Sequence, residues 1–366
     1  MGNNIHLKLL LGKTIIIVPQ ILQSSQLNST AINRTQWDDF VASVKNGHVF
    51  QTTPWASYRR ETGWNPILLS LTQQDSLKSV CLVLQRSVAS LPFGGVLYVS
   101  RGPVLDYESP EAPLLMSDIL DKLMWFARRR FAVVRISPDV NRTATWVDEL
   151  LREKGYQSAR QAVQHTATIR IDLTPHLDQI ISGMKAHRRT QIRQYERDKG
   201  DWSFQCDDSS ESLDAFYTLY HQTIANAGKK AKNNEDLRNM HGNLSKKRFS
   251  FIFIVRYQDR PVVGALNVAV GKRLWYLYGG SVKGEGAMSG SGFVLHWEII
   301  KWAKDRGYEE YDLQGVPDPP NPDDPAYGVY KFKRTWEGVL ERLIGEYDYT
   351  PYPFLRRIVN WKLAYQ

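Results

Sequence analysis

The stretch GVYKFKRTW, Gly328 to Trp336, alternates aromatic and cationic side chains directly after VPDPPNPDDP, a loop with five prolines between Pro317 and Pro325. Read as an extended segment, it sets Tyr330, Phe332 and Arg334 on one side and Lys331, Lys333 and Thr335 on the other. Rings and ammonium groups in that order suit either an amphipathic edge strand or a site for an anion. A second concentration of charge is MKAHRRTQIRQYERDKG (184–200). On a helix, Arg189, Arg193 and Arg197 fall at i, i+4 and i+8, a stripe about 12 Å long. Arg188 and Lys199 widen it, and Glu196 and Asp198 offset part of its charge. Such a stripe suits phosphate contacts that do not depend on base sequence, or a solvated face laced with ion pairs.

The totals agree with an anionic partner. Forty-seven Lys and Arg against 38 Asp and Glu leave +9, with a pI near 9.3, which favours nucleic acid, a membrane surface or a phosphorylated substrate without choosing among them. At 366 residues, 42% hydrophobic and 23% charged, the chain is globular and longer than one core usually supports, so two domains are expected. Cys81 and Cys206 match no metal or CxxC spacing, and the scattered histidines form no HExxH pair. No metal, no organic cofactor and no disulfide framework are expected, in a reducing cytosol. Residues 7–23, LKLLLGKTIIIVPQILQ, are interrupted by Lys8 and Lys13 and are followed by no clear cleavage site. Residues 1–33 are therefore read as an extension, with an added strand or a signal or surface anchor as the alternatives.

The elements that must position these groups occur twice. PILLSL (66–71), LKSVCLVLQRS (77–87) and VLYVSRG (96–102) read as three strands, LLMSDILDKLMWFARRR (114–130) as a helix and FAVVRIS (131–137) as a strand. About 180 residues later, FSFIFIVRY (249–257), VVGALNVAV (262–270), LWYLYGGS (274–281), GFVLHWEIIKWAKDRG (292–307) and YEEYDLQGV (308–316) repeat that order, with Gly307 placed to end the helix. Between the copies lie a strand (166–174), a helix from about Leu177 to Lys199 and a further helix (212–228). A basic stretch with seven Lys and Arg in twenty residues (229–248) follows, read as a mobile loop or short helix. The fold class is α/β (α+β): two tandem acetyltransferase (GNAT)-like domains with mixed, mostly antiparallel sheets flanked by helices. In that fold a Gly-rich turn opening the helix can cradle a pyrophosphate. The turn here, SVKGEGAMSGSGF, has the glycines but carries Ser281 or Ala287 in place of the usual Arg or Gln.

Six stretches in order resemble the Fem-type aminoacyl transferases, the FemABX group, over most of the chain after residue 34: QTTPWASYRRETGW (51–64), YVSRGPVLD (98–106), TIRIDLT with the arginine helix, LWYLYGGS, AKDRGYEEYDLQGV, and YGVYKFKRTWEG with GEYDY (345–349). The resemblance implies domains at 34–165, completed by 345–366, and at 166–344. It implies the arm-less, FemX-like form, since no coiled-coil stretch interrupts the second domain. The implied activity is transfer of an amino acid from aminoacyl-tRNA to the stem-peptide lysine of a peptidoglycan precursor, UDP-MurNAc-pentapeptide or lipid II. Lys333 and Phe332 match the family's pair at the reaction channel, and Lys333 is the expected cation for the oxyanion. Arg59 stands where the family has a phosphate-contacting lysine. Tyr98, Asp106, Tyr278 and Tyr276 fall in substrate-contacting motifs, with Tyr276 and Tyr278 expected on one strand face. Arg238 is the nearest match to a substrate-binding Arg, but Gly242 replaces the tyrosine that should follow it. Arg188, Arg189, Arg193 and Arg197 are the implied tRNA contacts. Peripheral membrane association and oligomeric state stay open. An acyl-CoA N-acyltransferase on the same fold and a non-catalytic RNA-binding or envelope protein are the alternatives.

Overall fold

In a computed structural model, the described residues are 5–11, 14–16, 32–87, 94–197, 199–228, 230–284, 286, 288, 290–323 and 327–359. The chain divides into two compact units, Met1–Thr166 with Arg342–Gln366, and Ala167–Glu341.

Unit 1 contains, in chain order, β1 (Ile5–Leu11), β2 (Thr14–Ile16), α1 (Arg34–Ser43), α2 (Thr53–Glu61), β3 (Asn65–Gln73), β4 (Ser76–Ser87), β5 (Gly95–Ser100), β6 (Val104–Leu105), α3 (Ala112–Arg129), β7 (Ala132–Ser137), α4 (Thr145–Glu153) and β8 (Gln157–Ser158). Unit 2 contains β9 (Ala167–Asp172), α5 (Leu177–Gly183), α6 (Ala186–Arg197), β10 (Trp202–Asp207), α7 (Ser210–Asn226), α8 (Asn234–Ser245), β11 (Ser250–Tyr257), β12 (Arg260–Val270), β13 (Arg273–Ser281), α9 (Ser291–Asp305), β14 (Glu310–Gly315), α10 (Tyr327–Arg334) and β15 (Val339–Arg342). The chain then re-enters unit 1 as β16 (Tyr347–Tyr349) and α11 (Leu355–Ile358).

The two sheets share one plan. In unit 1, β3, β4 and β5 are antiparallel, β7 joins β5 in parallel and β16 joins β7 antiparallel. In unit 2, β11, β12 and β13 are antiparallel, β14 joins β13 in parallel and β9 joins β14 antiparallel. Even the first turn repeats. Gln74-Asp75 and Gln258-Asp259 both take left-handed φ, 48° and 60° in one, 47° and 61° in the other, the geometry that matches a hairpin's twist. Each crossover helix buries its apolar face on its own sheet: Leu115, Met116, Ile119, Leu120, Leu123 and Phe126 from α3, and Phe293, Trp297, Ile300 and Ala303 from α9. Burying each large apolar side chain is worth roughly 1.5–3 kcal/mol, so these faces hold each helix to its sheet.

Several sequence expectations are corrected. GVYKFKR is helix, not strand: Lys331 reaches over the Tyr327 ring at 5.3 Å and Tyr327 stacks with Tyr330 at 5.9 Å. These are i,i+4 and i,i+3 contacts that the alternating pattern concealed. The helix expected over 177–199 is two, because Met184 is extended (ψ 161°) and ends α5. The basic stretch 229–248 is largely α8, opened by Asn233, whose side chain accepts the Asp236 amide. Within residues 1–33, 5–11 pair antiparallel with β3 as an added strand and 14–16 pair with 5–11 as the sheet's edge, and the rest of that segment lies largely outside the described residues. Gly307, at φ 76°, does follow the end of α9.

Candidate active site

The chemistry in unit 2 gathers where β13 and β14 part. They pair at only three positions, Arg273 to Trp275 with Glu310 to Asp312. Beyond these, the carbonyls of Gln314 and Gly315 are free to receive the Lys333 ammonium, at 3.1 and 2.8 Å. Gln314 sits at φ 64° with its amide on Asp312 Oδ1 at 2.6 Å, a local turn that aims both carbonyls at α10. Lys333 is 7% exposed. Burial pulls its amine down from the usual lysine range to about 8, against the partial opposition of Asp312. Asp312 is itself held by the Thr168 hydroxyl and by Arg170 Nε at 3.4 Å.

Beside Lys333, Phe332 lies 5.4 Å from the His296 ring, which also packs on Tyr276 at 4.7 Å and Trp336 at 5.7 Å. His296 Nδ1 is 2.8 Å from the Tyr311 hydroxyl, and Asn267 Nδ2 donates to that oxygen at 3.4 Å. The Tyr311 oxygen thus stands between the amide of Asn267 and the imidazole of His296. Burial, reinforced by Lys333, lowers the imidazole to about 3, so it stays uncharged wherever the lysine titrates. Sequence reasoning missed His296, Tyr311, Asp312 and Asn267. The one local signal was a histidine inside the apolar run GFVLHWEII.

The two glycines of YGGS explain the wall of this cleft. A Cβ at Gly279 would overlap the Tyr276 hydroxyl, and one at Gly280 would overlap the backbone of Leu219 and Tyr220 on α7. Neighbouring strand residues face opposite ways, so Gly279 faces the His296 side and Gly280 the α7 side. A bulge pairs Leu266 with Tyr278 and Asn267 with Tyr276, leaving Leu277 extra. The extra residue reverses the expected alternation: Tyr276 meets His296, whereas Tyr278 meets Tyr220 at 5.6 Å on the opposite face.

The arginines expected to form one stripe separate. Arg188 turns inward, with its guanidinium 5.1 Å from the Phe293 ring and 6.0 Å from Phe332, and burial lowers its proton affinity. Arg189 donates to the Met184 and Ser182 carbonyls at the end of α5, at 2.6 and 3.3 Å. Arg193 and Arg197 are exposed and carry no ion pair among the described residues. Arg238, on α8, is paired with Asp214 of α7, on the Tyr278 side of the sheet.

The unit 1 residues are placed differently. Arg59 is buried over the Tyr58 and Trp64 rings at 5.7 and 5.2 Å, on a helix capped by Thr52. Tyr98 is fully buried and donates to Glu346 Oε1 at 2.9 Å, which makes it a core residue rather than an open contact. Asp106 is exposed and accepts the Glu108 amide at 3.0 Å. Among the described residues no cluster of His, Cys, Asp and Glu is suited to hold a metal ion. No helix among them is long and apolar enough to cross a membrane.

Known proteins match this architecture along its length. A model described as an acetyltransferase (GNAT) domain covers residues 182–334, the region that contains the parted strands and Lys333. The lipid II:glycine glycyltransferase of Staphylococcus epidermidis is 22% identical over 399 residues, covering 87% of this chain and 91% of that protein. The enzyme of that name from Staphylococcus aureus is 23% identical over 391 residues, with the same coverage. The crystal structure of FemX superposes with a TM-score of 0.80 at 20% identity, over 90% of this chain and 99% of that one. Since the FemAB family model spans residues 32–241, more than half of the 366 residues, the chain belongs to the FemAB family.

Proposed function

We propose that the protein transfers an amino acid from aminoacyl-tRNA to the amine of a peptidoglycan precursor's stem peptide, a lysine side chain or its equivalent, building an interpeptide bridge. The observation that carries this reading is the buried Lys333 amine at the end of the parted strands, in a chain whose full-length relatives are named glycyltransferases acting on lipid II. In the reaction the acceptor nitrogen bonds to the ester carbonyl carbon, the bond from that carbon to the ribose oxygen breaks, and the proton lost by nitrogen ends on the ribose oxygen. Lys333 supplies positive charge to the oxyanion from a water-poor setting, where such charge counts most. With its amine near 8, the ammonium is also suited to give a proton to the departing ribose oxygen and then take the one that the acceptor nitrogen loses. Arg188, Arg193 and Arg197 are the cations proposed to meet the tRNA phosphates, and Arg59, Asp106, Tyr276, Tyr278 and Arg238 are the remaining candidates for the precursor. The reaction takes place in the cytoplasm and uses neither metal nor organic cofactor.

The test is to incubate the protein with a mixture of charged tRNAs and either UDP-MurNAc-pentapeptide or lipid II, then to weigh the product. A mass increment names the amino acid and the acceptor together. If neither acceptor gains mass with any charged tRNA, the reading fails. The match of a GNAT acetyltransferase model to residues 182–334 favours, as a second reading, an acyl-CoA N-acyltransferase. Calorimetric titration with coenzyme A separates the two, since only the second requires binding.

A further inference from the structure

We infer that the C-terminal end of α3, together with the aromatic corner of Phe131, Tyr352 and Phe354, docks the protein on an anionic phospholipid surface. Trp125 is 37% exposed and Phe354 53% exposed, large apolar side chains in water on the same unit. They belong to two groups of contacts that adjoin along the chain at Arg130 and Phe131. Arg129 lies 5.1 Å over the Trp125 ring, Trp125 meets Phe126 edge-on at 5.1 Å, and Arg130 lies 5.0 Å over Phe126. Phe131, at φ 49°, turns the backbone off the helix and packs on Tyr352 at 4.2 Å and Phe354 at 6.0 Å. Arg128 and Arg129 are exposed and have no ion pair among the described residues. The acid next along the helix, Asp121, is already paired with Lys154 at 2.7 Å.

Aromatic rings beside arginines are the chemistry of the bilayer interface: rings settle at headgroup depth and guanidinium groups meet lipid phosphates. Single-stranded RNA also takes arginine and aromatics, but it needs open ring faces for stacking. Here one face of Trp125 is covered by Arg129. The three corner rings are tilted against one another by 39° to 54°, so none forms a parallel platform with its neighbour. The surface therefore suits insertion of ring edges better than stacking of bases. Docking would hold the protein where a lipid-linked acceptor resides, and the test reads binding alone, so it does not depend on the proposed transfer.

The experiment is co-sedimentation of the full chain with phosphatidylcholine vesicles, with and without phosphatidylglycerol. Binding is expected only to the anionic vesicles, weakening at high salt. The double variant R128E/R129E should weaken it at least about tenfold, and Phe354→Ser should weaken it at low salt as well. R193E/R197E on α6 should bind vesicles like the unaltered protein. All these positions are exposed, and a thermal melt verifies folding. Absence of vesicle binding, equal loss in R193E/R197E, or loss of tRNA rather than vesicle binding in R128E/R129E would each overturn the inference.

Discussion

The two units are built on one plan and differ where their parallel strands end. In unit 1, β5 and β7 stay paired at six positions, Gly95 to Ser100 with Ala132 to Ser137. In unit 2 the equivalent strands part after three. The polar groups nearby differ in kind. Arg135 on β7 makes two 2.7 Å bonds to Asp348 and one of 3.3 Å to Glu346, which also accepts Tyr98 and the amides of Val163 and Gln164. That cluster fastens the returning β16 to its sheet. In unit 2 the polar group beside the parted strands is the buried Lys333 ammonium, held by the carbonyls of Gln314 and Gly315 with no carboxylate bonded to it among the described residues. The comparison sets a cluster that fastens a strand against a buried lysine at an opening between strands, the feature on which the proposed function rests.

The largest effect expected from breaking this contrast is on folding. Arg135→Met leaves two carboxylates buried without their cation and should cost roughly 3–5 kcal/mol. A denaturant midpoint measures the loss, with transfer per folded molecule retained. If the melt is unchanged, the closed cluster is not structural.

Lys333→Met should do the reverse, lowering the rate constant by about 10²- to 10³-fold without lowering the thermal midpoint at pH 7. The sign follows from linkage. The folded amine near 8 lies below the ordinary 10.5, so between those values the unfolded chain holds more proton. Wild-type stability should therefore rise from pH 8 to 10.5, and the variant should lose that rise. Retained transfer in single-turnover assays would remove Lys333 from the chemistry.

A smaller effect concerns His296, whose folded value near 3 lies below the ordinary 6.5. Stability should fall as pH drops from 6.5 towards 3, because the unfolded chain gains a proton that the folded one refuses. His296→Gln should flatten part of that slope, leaving the part due to His241, which burial also holds down. An unaltered slope would mean that His296 is not the neutral, buried group described. The smallest effect belongs to the exposed arginines. Arg193→Gln or Arg197→Gln should reduce the dependence of tRNA affinity on log salt by about one each, read by filter binding at several salt concentrations.

How much of this was legible in the sequence can be judged from particular residues. The repeated strand-helix-strand order, the Gln-Asp turns and the end of α9 at Gly307 are short-range signals and could be read directly. The arginine stripe could not, because whether Arg188 seeks water or the Phe293 and Phe332 rings depends on a helix more than a hundred residues away. Tyr276 and Tyr278 were misplaced for a related reason. The bulge that separates them is a property of β12 and β13 together, and neither strand reveals it alone.

The sequence by itself determined the two α/β copies, the family and the importance of the segment carrying Phe332 and Lys333, since hydrophobic period, turn chemistry and motif order are written along the chain. Only the tertiary structure decided that this segment is a helix and that Lys333 rests on the carbonyls of Gln314 and Gly315. A lone strand needs a neighbour to satisfy its backbone, whereas a helix satisfies its own. The carbonyls lie beyond the last β13–β14 pair and at the irregularity in the β14–β9 pairing. That placement is set by pairing across the sheet, which no stretch of sequence contains.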